Sequence, residues 1–214
     1  MTKKQILFFD FDGVIVDSFK MVLSCWQKIH PDVTETQFRD LMRGNFYKNY
    51  EQAYPASAKD HHKRYQDFFL LYEHALLQML PVKGMREVLE QMVQNHALFI
   101  LSSSSEEPIR RFLKHHDLLK YFHDILGKES DTQKTVKIEE IFHTHETGPT
   151  RSLFVTDTTG DIIEGREVGC QSIGVAWGFH SKEDLEQVHP FAVVSSPAEL
   201  PFAIDEFFGR QSTT

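Results

Sequence analysis

The sequence contains few cysteines, fewer basic than acidic residues, and no long uninterrupted apolar stretch. Cys25 and Cys170 are its two cysteines and lie far apart, so neither a disulfide framework nor a paired cysteine metal site is predicted. Lys and Arg total 23 against 31 Asp and Glu, giving a formal net charge of -8 without any basic block. This balance disfavours nucleic acid as a partner. No stretch approaches the roughly 18 apolar residues of a membrane span, so we expect a cytoplasmic protein without a membrane partner.

The sequence is rich in apolar residues. Hydrophobic residues make up 41% of the 214 positions, and 18 residues are Phe. A chain of this length and composition can bury one sizeable core and carry a small accessory domain. We therefore expect a globular protein that acts as a monomer or a homodimer.

Short apolar runs alternate with helical patterns along most of the chain. Five runs predict strands, at residues 5–9, 97–101, 152–155, 172–175 and 191–194. Helical patterns follow the later runs, at about residues 105–116, 135–145, 161–168 and 198–207. The alternation predicts an α/β fold with a Rossmann-like parallel sheet and helices on both faces. Ligands of such folds bind beyond the carboxyl ends of the strands.

One interval breaks this alternation. Residues 16–80 contain helical patterns at 17–29, 34–43 and 58–80 and no convincing strand. An all-helical insertion after the first strand would form a cap over the strand ends. The sequence therefore predicts a core domain of residues 1–15 and 81–214 and a helical cap of residues 16–80.

A pair of carboxylates follows the first predicted strand. Asp10 and Asp12 lie two positions apart on an extended segment, so their side chains start on the same side of the chain. Two ionised carboxylates about 4 Å apart repel by roughly 4 kcal/mol at an effective dielectric constant near 20. Either a shared proton or a cation relieves this repulsion, and Mg²⁺ suits a site built from oxygen ligands.

The surroundings of this pair resemble a known family. The run FFDFDGVIVDS at residues 8–18 closely resembles the first signature of the haloacid dehalogenase superfamily, in its phosphoglycolate phosphatase-like group with a helical cap. The resemblance implies that Asp10 is a nucleophile that becomes an aspartyl phosphate. It implies that Asp12 is the general acid and then the general base, with its main-chain carbonyl on the metal. Gly13 would let the backbone turn closely around the phosphate.

The second signature of that family is a hydroxyl after the second strand. Ser102 is the first serine after the run at 97–101, at the start of the next helical pattern. A hydroxyl and backbone N–H groups at that point can hold a phosphoryl oxygen. Ser102 is the preferred residue, and Ser103 and Ser104 remain alternatives.

The third signature is a lysine at a helix start, which stabilises charge on the nucleophile and the phosphate. Lys134 stands just before the helical pattern at 135–145 and 23 residues ahead of Asp157, similar to the family spacing. Lys128 and Lys137 are the competing candidates. We select Lys134.

The fourth signature is an acidic pair after the third predicted strand. Asp157 and Asp161 lie four positions apart, beside Gly160. By resemblance, Asp157 is a metal ligand and Asp161 is either on the metal side or orients the lysine. Many relatives carry Gly where this chain has Thr156. In the cap, Arg43 is a candidate for contact with the non-phosphate part of a substrate.

Four signatures in the family's order predict an enzyme. The leading hypothesis is Mg²⁺-dependent hydrolysis of a small phosphorylated metabolite, as in phosphoglycolate phosphatases. A phosphosugar mutase of the β-phosphoglucomutase type is the first alternative. A non-catalytic phosphate-binding or regulatory protein on the same fold is the second, and the presence of every signature residue disfavours it. The identity of the substrate is not readable from the cap sequence.

Overall fold

The computed structural model describes residues 4–131 and 133–211. In that part of the chain six strands form one sheet, and every neighbouring pair is parallel. The strand order is β3-β2-β1-β4-β5-β6, which places β1 between β2 and β4. The strands are β1 (Gln5–Phe9), β2 (His96–Leu101), β3 (Phe122–Leu126), β4 (Ser152–Thr156), β5 (Gln171–Val175) and β6 (Ala192–Val194).

Ten α-helices connect or follow these strands in the described residues. Five of them lie between β1 and β2, and the others alternate with or follow the later strands. The helices are α1 (Phe19–Ile29), α2 (Glu35–Leu41), α3 (Phe46–Ala53), α4 (Ala58–Leu76), α5 (Met85–Met92), α6 (Glu106–His115), α7 (Lys134–Thr144), α8 (Thr159–Glu167), α9 (Lys182–Gln187) and α10 (Leu200–Gln211).

The sheet is covered on both faces, because side chains of successive strand residues point to opposite sides. Leu7 and Phe9 of β1 pack in one buried cluster with residues of α5, α6 and α10. Ile6 and Phe8 pack in a second cluster with residues of α7. The predicted α/β class, with a parallel sheet between helical layers, is confirmed.

Four elements escaped the sequence patterns, namely β3, α3, α5 and α9. The strand β3 has exposed residues at His123 and Asp124, so its apolar run is too short to be recognised. The helix α3 is only eight residues long, and its buried residue, Tyr50, is aromatic and not aliphatic. The five predicted strands correspond to β1, β2, β4, β5 and β6.

The helices α1 to α4 form the layer that covers the carboxyl ends of β1, β2 and β4. Trp26 of α1 is buried at the centre of this layer, where its ring stacks on Phe68 of α4. The buried cluster of the layer is continuous with the cluster on one face of the sheet. The boundaries drawn at residues 15 and 80 stay a prediction. No helix among the described residues is long and apolar enough to cross a membrane.

Candidate active site

The strand order brings the predicted polar residues together. The central strands β1, β2 and β4 are adjacent and parallel, so their carboxyl ends meet at one edge of the sheet. Asp10, Ser102 and Asp157 are the first residues after these three strands, and Lys134 is the first residue of α7. One cavity of about 110 Å³ is lined by all of them.

We use two names for the walls of this cavity. The floor is the set of residues from the core that carries the predicted signatures, namely Asp10, Asp12, Ser102, Lys134, Asp157 and Asp161. The roof is the set of aromatic residues contributed by α1, α3 and α4, namely Trp26, Phe46, Tyr47, Tyr65, Phe68, Phe69 and Tyr72.

Asp10 lies at the centre of the floor and is only 7% exposed. One carboxylate oxygen accepts the main-chain N–H of Phe11 at 2.7 Å, and the other lies 2.8 Å from the Lys134 ammonium. Burial raises the pKa of Asp10 well above its usual value, and the charge of Lys134 opposes that shift. A carboxylate fixed by two donors in this way has a defined direction of attack.

Lys134 lies between two carboxylates. Its ammonium donates to Asp161 at 2.6 Å as well as contacting Asp10. Burial alone would lower the pKa of Lys134, but the charges of Asp10 and Asp161 outweigh it and raise the pKa. The lysine therefore stays protonated and places a positive charge beside Asp10.

The other two candidate lysines lie elsewhere. The ammonium of Lys137 donates to the main-chain carbonyl of Ser102 at 2.6 Å. That of Lys128 lies 3.2 Å from the centre of the Phe69 ring. Of the three lysines weighed from the sequence, Lys134 alone contacts Asp10.

Asp12 has different partners from Asp10. Its Oδ2 accepts hydrogen bonds from the Tyr72 hydroxyl at 2.8 Å and from the Ser104 hydroxyl at 3.1 Å. Its Oδ1 is buried and has no hydrogen-bond partner among the described residues. Burial raises the pKa of Asp12, and hydrogen bonds from Ser18, Tyr72 and Ser104 oppose the shift. A carboxyl group with a raised pKa and one oxygen without a hydrogen-bond partner can hold and return a proton.

The three serines after β2 make different hydrogen bonds. Ser104 donates its hydroxyl to Asp12. Ser102 Oγ accepts the main-chain N–H of Ser104 at 3.0 Å, which leaves its own hydrogen available toward the cavity. The main-chain carbonyl of Ser103 accepts the Tyr47 hydroxyl at 3.2 Å. This arrangement favours Ser102 as the donor to a phosphoryl oxygen.

Glycine is required at position 13 for a structural reason that the sequence did not reveal. Its φ is +73°, and a Cβ atom at this position would overlap the carboxylate of Asp157. Its N–H donates to the carbonyl of Val16 at 2.8 Å, within the turn. Gly13 thus makes room for Asp157, and the expectation that it turns the backbone around a phosphate stays a prediction.

Asp157 is buried beneath the cavity. Its Oδ2 accepts the main-chain N–H of Phe179 at 2.7 Å, and its Oδ1 is buried with no partner among the described residues. Burial raises the pKa of Asp157 to about 7. Gly178, which no sequence signal singled out, also lies so close that a Cβ atom there would overlap this carboxylate.

Asp161 was grouped with the metal ligands from the sequence, but its position favours the alternative role. Its Oδ2 accepts hydrogen bonds from Lys134 and from the Thr156 hydroxyl, each at 2.6 Å. The pKa of Asp161 is lowered because these donors outweigh the effect of its burial. Asp161 thus orients the lysine. Thr156, the residue that departs from the glycine of many relatives, fixes Asp161 in turn.

The donor set fits Mg²⁺. Asp10 and Asp157 offer carboxylate oxygens, and the partnerless Oδ1 of Asp157 is available for a cation. Among the described residues no group of three or more His, Cys, Asp or Glu side chains could hold a metal ion. The two carboxylates of Asp10 and Asp157 suit Mg²⁺, which is commonly bound through one or two carboxylates together with substrate phosphate and water.

Arg43 lies outside the site. Its guanidinium donates to Asp40 at 3.0 Å and to Asp184 at 2.7 Å, and its side chain is 41% exposed. Arg43 does not line the cavity among its described residues. The expectation that it contacts substrate is corrected, because two carboxylates already engage its guanidinium and hold it between the helical layer and α9.

A chain of two polar contacts runs from the helical layer into the core. Asn45 donates its side-chain amide to Glu164 of α8 at 3.3 Å. The second carboxylate oxygen of Glu164 accepts the main-chain N–H of Lys134 at 2.8 Å. Beside them, Gly160 approaches Gly44 so closely that a Cβ atom on Gly160 would overlap the Gly44 backbone.

A sequence model of the haloacid dehalogenase-like hydrolases matches residues 7–175, which is most of the chain. The chain belongs to this family. This hydrolase is 25% identical to a phosphoglycolate phosphatase of Vibrio parahaemolyticus, over 94% of this chain and 96% of the relative. It is also 25% identical to a 5'-nucleotidase of Pseudomonas aeruginosa, over 86% and 88% of the two chains. The family predicted from the four signatures is confirmed.

Solved structures show the same fold for this hydrolase. A haloacid dehalogenase-like family hydrolase from Streptococcus pneumoniae superposes with a TM-score of 0.81 at 21% identity, over 95% of this chain and 100% of the other. A phosphonoacetaldehyde hydrolase-like protein from Oleispira antarctica superposes with a TM-score of 0.82 at 14% identity, over 99% and 95% of the chains. At these identities the likeness establishes the fold and not the substrate.

Proposed function

We propose that this chain hydrolyses small phosphomonoesters by transferring the phosphoryl group to Asp10 and then to water. The observation that carries the proposal is that two carboxylates share the floor but have different partners. Asp10 contacts a protonated lysine, whereas Asp12 is held by two hydroxyls. Paired groups in unlike environments are suited to the unlike roles of nucleophile and acid. The relatives named as phosphatases and as a nucleotidase support a phosphate ester as the bond that is cleaved.

In the first step a carboxylate oxygen of Asp10 forms a bond to phosphorus while the bond to the leaving oxygen breaks. Asp12 donates its proton to that leaving oxygen, so an alcohol departs instead of an alkoxide. Lys134 stabilises negative charge on Asp10 and on the phosphoryl oxygens. Ser102 donates a hydrogen bond to one of those oxygens.

In the second step Asp12, now ionised, takes a proton from a water molecule. The water oxygen forms a bond to phosphorus, and the bond between phosphorus and Asp10 breaks. Inorganic phosphate leaves, and both carboxyl groups return to their starting states. Dividing the hydrolysis in this way replaces one difficult step by two easier ones.

Asp10, Asp157 and the main-chain carbonyl of Asp12 would hold Mg²⁺ in this site. When bound, the ion would neutralise part of the charge that the phosphate adds to an already acidic floor. Asp161 would act on Lys134 through its Oδ2, which is engaged by Lys134 and Thr156.

A screen of phosphate metabolites for Mg²⁺-dependent phosphate release tests the proposal, with Asp10→Asn as the decisive variant. The amide keeps the size of the side chain but loses its nucleophilic charge, so we expect turnover to be abolished with the fold intact. Asp205→Asn, an exposed change on α10, is the matched control and should keep full activity. Phosphatase activity that survives in purified Asp10→Asn protein would refute the proposal.

A further inference from the structure

The roof presents a preformed aromatic surface to the cavity. The rings of Trp26 and Phe68 stack at 4.7 Å, and Phe46 lies 5.5 Å from Trp26. On the other side, Tyr47 and Tyr65 lie 5.6 Å apart. Rings that pack on one another keep their orientation without a ligand. Binding of a ligand in this space therefore costs little conformational entropy for ordering the side chains of the roof.

The cavity has almost no positive charge to offer a substrate. Among the described residues that line it, Lys134 is the only Lys, Arg or His. That lysine is already shared between Asp10 and Asp161. A carboxylate on the leaving group would therefore meet no basic side chain among the roof residues, so its desolvation there is uncompensated. The lining acids oppose it further; they are Asp10, Asp12, Asp157, Asp161 and Glu164.

Basic residues near the roof do not supply the missing counter-charge for a carboxylate. Arg43 is engaged by Asp40 and Asp184 outside the cavity. Lys128 lines a neighbouring surface groove, where its ammonium lies over the Phe69 ring. Neither residue lines the cavity itself. The floor would thus contact the phosphate of a small phosphorylated acid, but no basic side chain would pair with its carboxylate.

One polar group of the roof has no partner. The Tyr65 hydroxyl is buried and makes no hydrogen bond with the described residues. The Tyr47 hydroxyl, in contrast, donates to Ser103. Buried polar atoms in folded proteins nearly always have a partner, and because Tyr65 lines the cavity, a ligand bound there can supply it. With no basic side chain in the roof, an uncharged donor or acceptor on the leaving group fits this position.

From the rings, the absent counter-charge and the orphan hydroxyl, we infer that the cavity selects phosphomonoesters of uncharged, ring-bearing alcohols. This inference rests on the proposed function, because it names the substrate class of the same site. It differs from what the names of the phosphoglycolate phosphatase relatives suggest, since phosphoglycolate carries a carboxylate.

Benzyl phosphate and phosphoglycolate form a matched pair of substrates, because each is the phosphate of a primary alcohol. We expect kcat/KM to be higher for benzyl phosphate by at least about tenfold, the lower end of what a hydrophobic contact contributes to discrimination. Equal values, or a preference for phosphoglycolate, would overturn the inference. A preference for phosphocholine over both would also overturn it, because the rings would then recognise a cation.

Phe69→Ala tests the roof directly, with Leu70→Ala as its control. Phe69 lines the cavity, whereas its neighbour Leu70 is 69% exposed and does not line it. We expect Phe69→Ala to lower kcat/KM for benzyl phosphate by about tenfold and to leave that for phosphoglycolate within about twofold. Leu70→Ala should change neither. Equal losses for both substrates in a Phe69→Ala protein with an unchanged melting temperature would contradict the assignment.

Binding separates a failure of this inference from a failure of the proposed function. Calorimetry on Asp10→Asn protein with Mg²⁺ measures the affinity for benzyl phosphate and phosphoglycolate without turnover. Tighter binding of benzyl phosphate by about tenfold or more would support the inference even if no phosphomonoester were hydrolysed. Tighter binding of phosphoglycolate would overturn it even if hydrolysis proceeded as proposed.

Discussion

The floor and the roof of the cavity are built on different physical principles. The floor holds its side chains by short, directional contacts, such as those that link Asp10, Lys134 and Asp161 at 2.8 and 2.6 Å. The roof holds its side chains by the mutual packing of rings, such as Trp26 on Phe68. Directional contacts fix charges where a reaction needs them, whereas ring packing provides area that a leaving group of the right shape can cover.

The difference predicts how substitutions should behave. A change in the floor should lower kcat for every substrate, because the phosphoryl group is common to them all. A change in the roof should alter the choice between substrates. One residue crosses the division, since Tyr72 belongs to the roof but donates its hydroxyl to Asp12 of the floor.

Removal of the metal should have the largest effect. We expect activity toward every phosphomonoester to be lost with excess chelator and restored by Mg²⁺, because the floor carries several carboxylates and the substrate adds more negative charge. Phosphate release measured across a chelator titration checks this. The circular dichroism spectrum should not change, since the ion contributes no element of the fold. Full activity in excess chelator would contradict the role given to Asp10 and Asp157.

Asp12→Asn should rank next. Loss of general acid and base catalysis should lower turnover by about 10² to 10⁴-fold. The first step should suffer less for an aryl phosphate, whose leaving group departs without a proton, so the aspartyl phosphate on Asp10 should accumulate. Rapid-quench measurement of the aryl burst and of protein-bound phosphate checks this. The exposed neighbour Asp17→Asn is the control. An unchanged rate of hydrolysis by the Asp12→Asn protein would show that Asp12 is not the general acid and base.

Tyr72→Phe tests the link between roof and floor. Loss of a hydrogen bond to a charged group costs about 1.5–3 kcal/mol, so kcat should fall by about 10- to 100-fold for all substrates. The hydroxyl of Tyr72 lowers the pKa of Asp12, so its removal should raise that pKa and move the basic limb of the kcat/KM profile to higher pH.

The pH profile distinguishes this role from simple packing. Tyr54→Phe, a change in the same helical layer but away from the cavity lining, should leave the profile where it is. A Tyr72→Phe profile that coincides with that of the parent protein would show that the hydroxyl does not act on Asp12.

Arg43→Ala should have the smallest effect. Its two ion pairs lie at the surface, and exposed pairs contribute about 0–1 kcal/mol to stability. We expect kcat/KM for every substrate within about twofold of the parent value and a slightly lower melting temperature. A rise in KM of more than tenfold with kcat unchanged would show that Arg43 contacts the substrate.

The floor was predictable because its information is local in the sequence. Each of its residues follows a strand or begins a helix within a short motif, and a parallel sheet necessarily brings those positions together. Such motifs identified Asp10, Asp12, Ser102, Lys134 and Asp157 as neighbours before their distances were known. They also left the role of Asp161 open, and its contacts with Lys134 and Thr156, which favour the lysine-orienting role, are visible only in the folded structure.

The roof was not predictable for the opposite reason. The contact between Tyr72 and Asp12 joins residues 60 positions apart, and nothing in the helical pattern at 58–80 distinguishes Tyr72 from its neighbours. The helix α3, which supplies Phe46 and Tyr47, was missed altogether. Gly178 contacts Asp157 only because the loop after β5 returns to the site. These features depend on how elements pack and not on the residues beside them.

The contact between Gly160 and Gly44 constrains how this protein can change. Gly160 lies in the first turn of α8, where alanine would normally favour the helix by about 0.5–1 kcal/mol. Anyone seeking a more heat-resistant variant would choose that substitution early. Here the added methyl group would overlap the Gly44 backbone and push the helical layer away from Asp10 and Lys134. The helix α8 thus keeps a residue of low helix propensity because only glycine lets the helical layer pack closely on the core at this point. A substitution that raised the thermal stability of the helix here would disturb that packing.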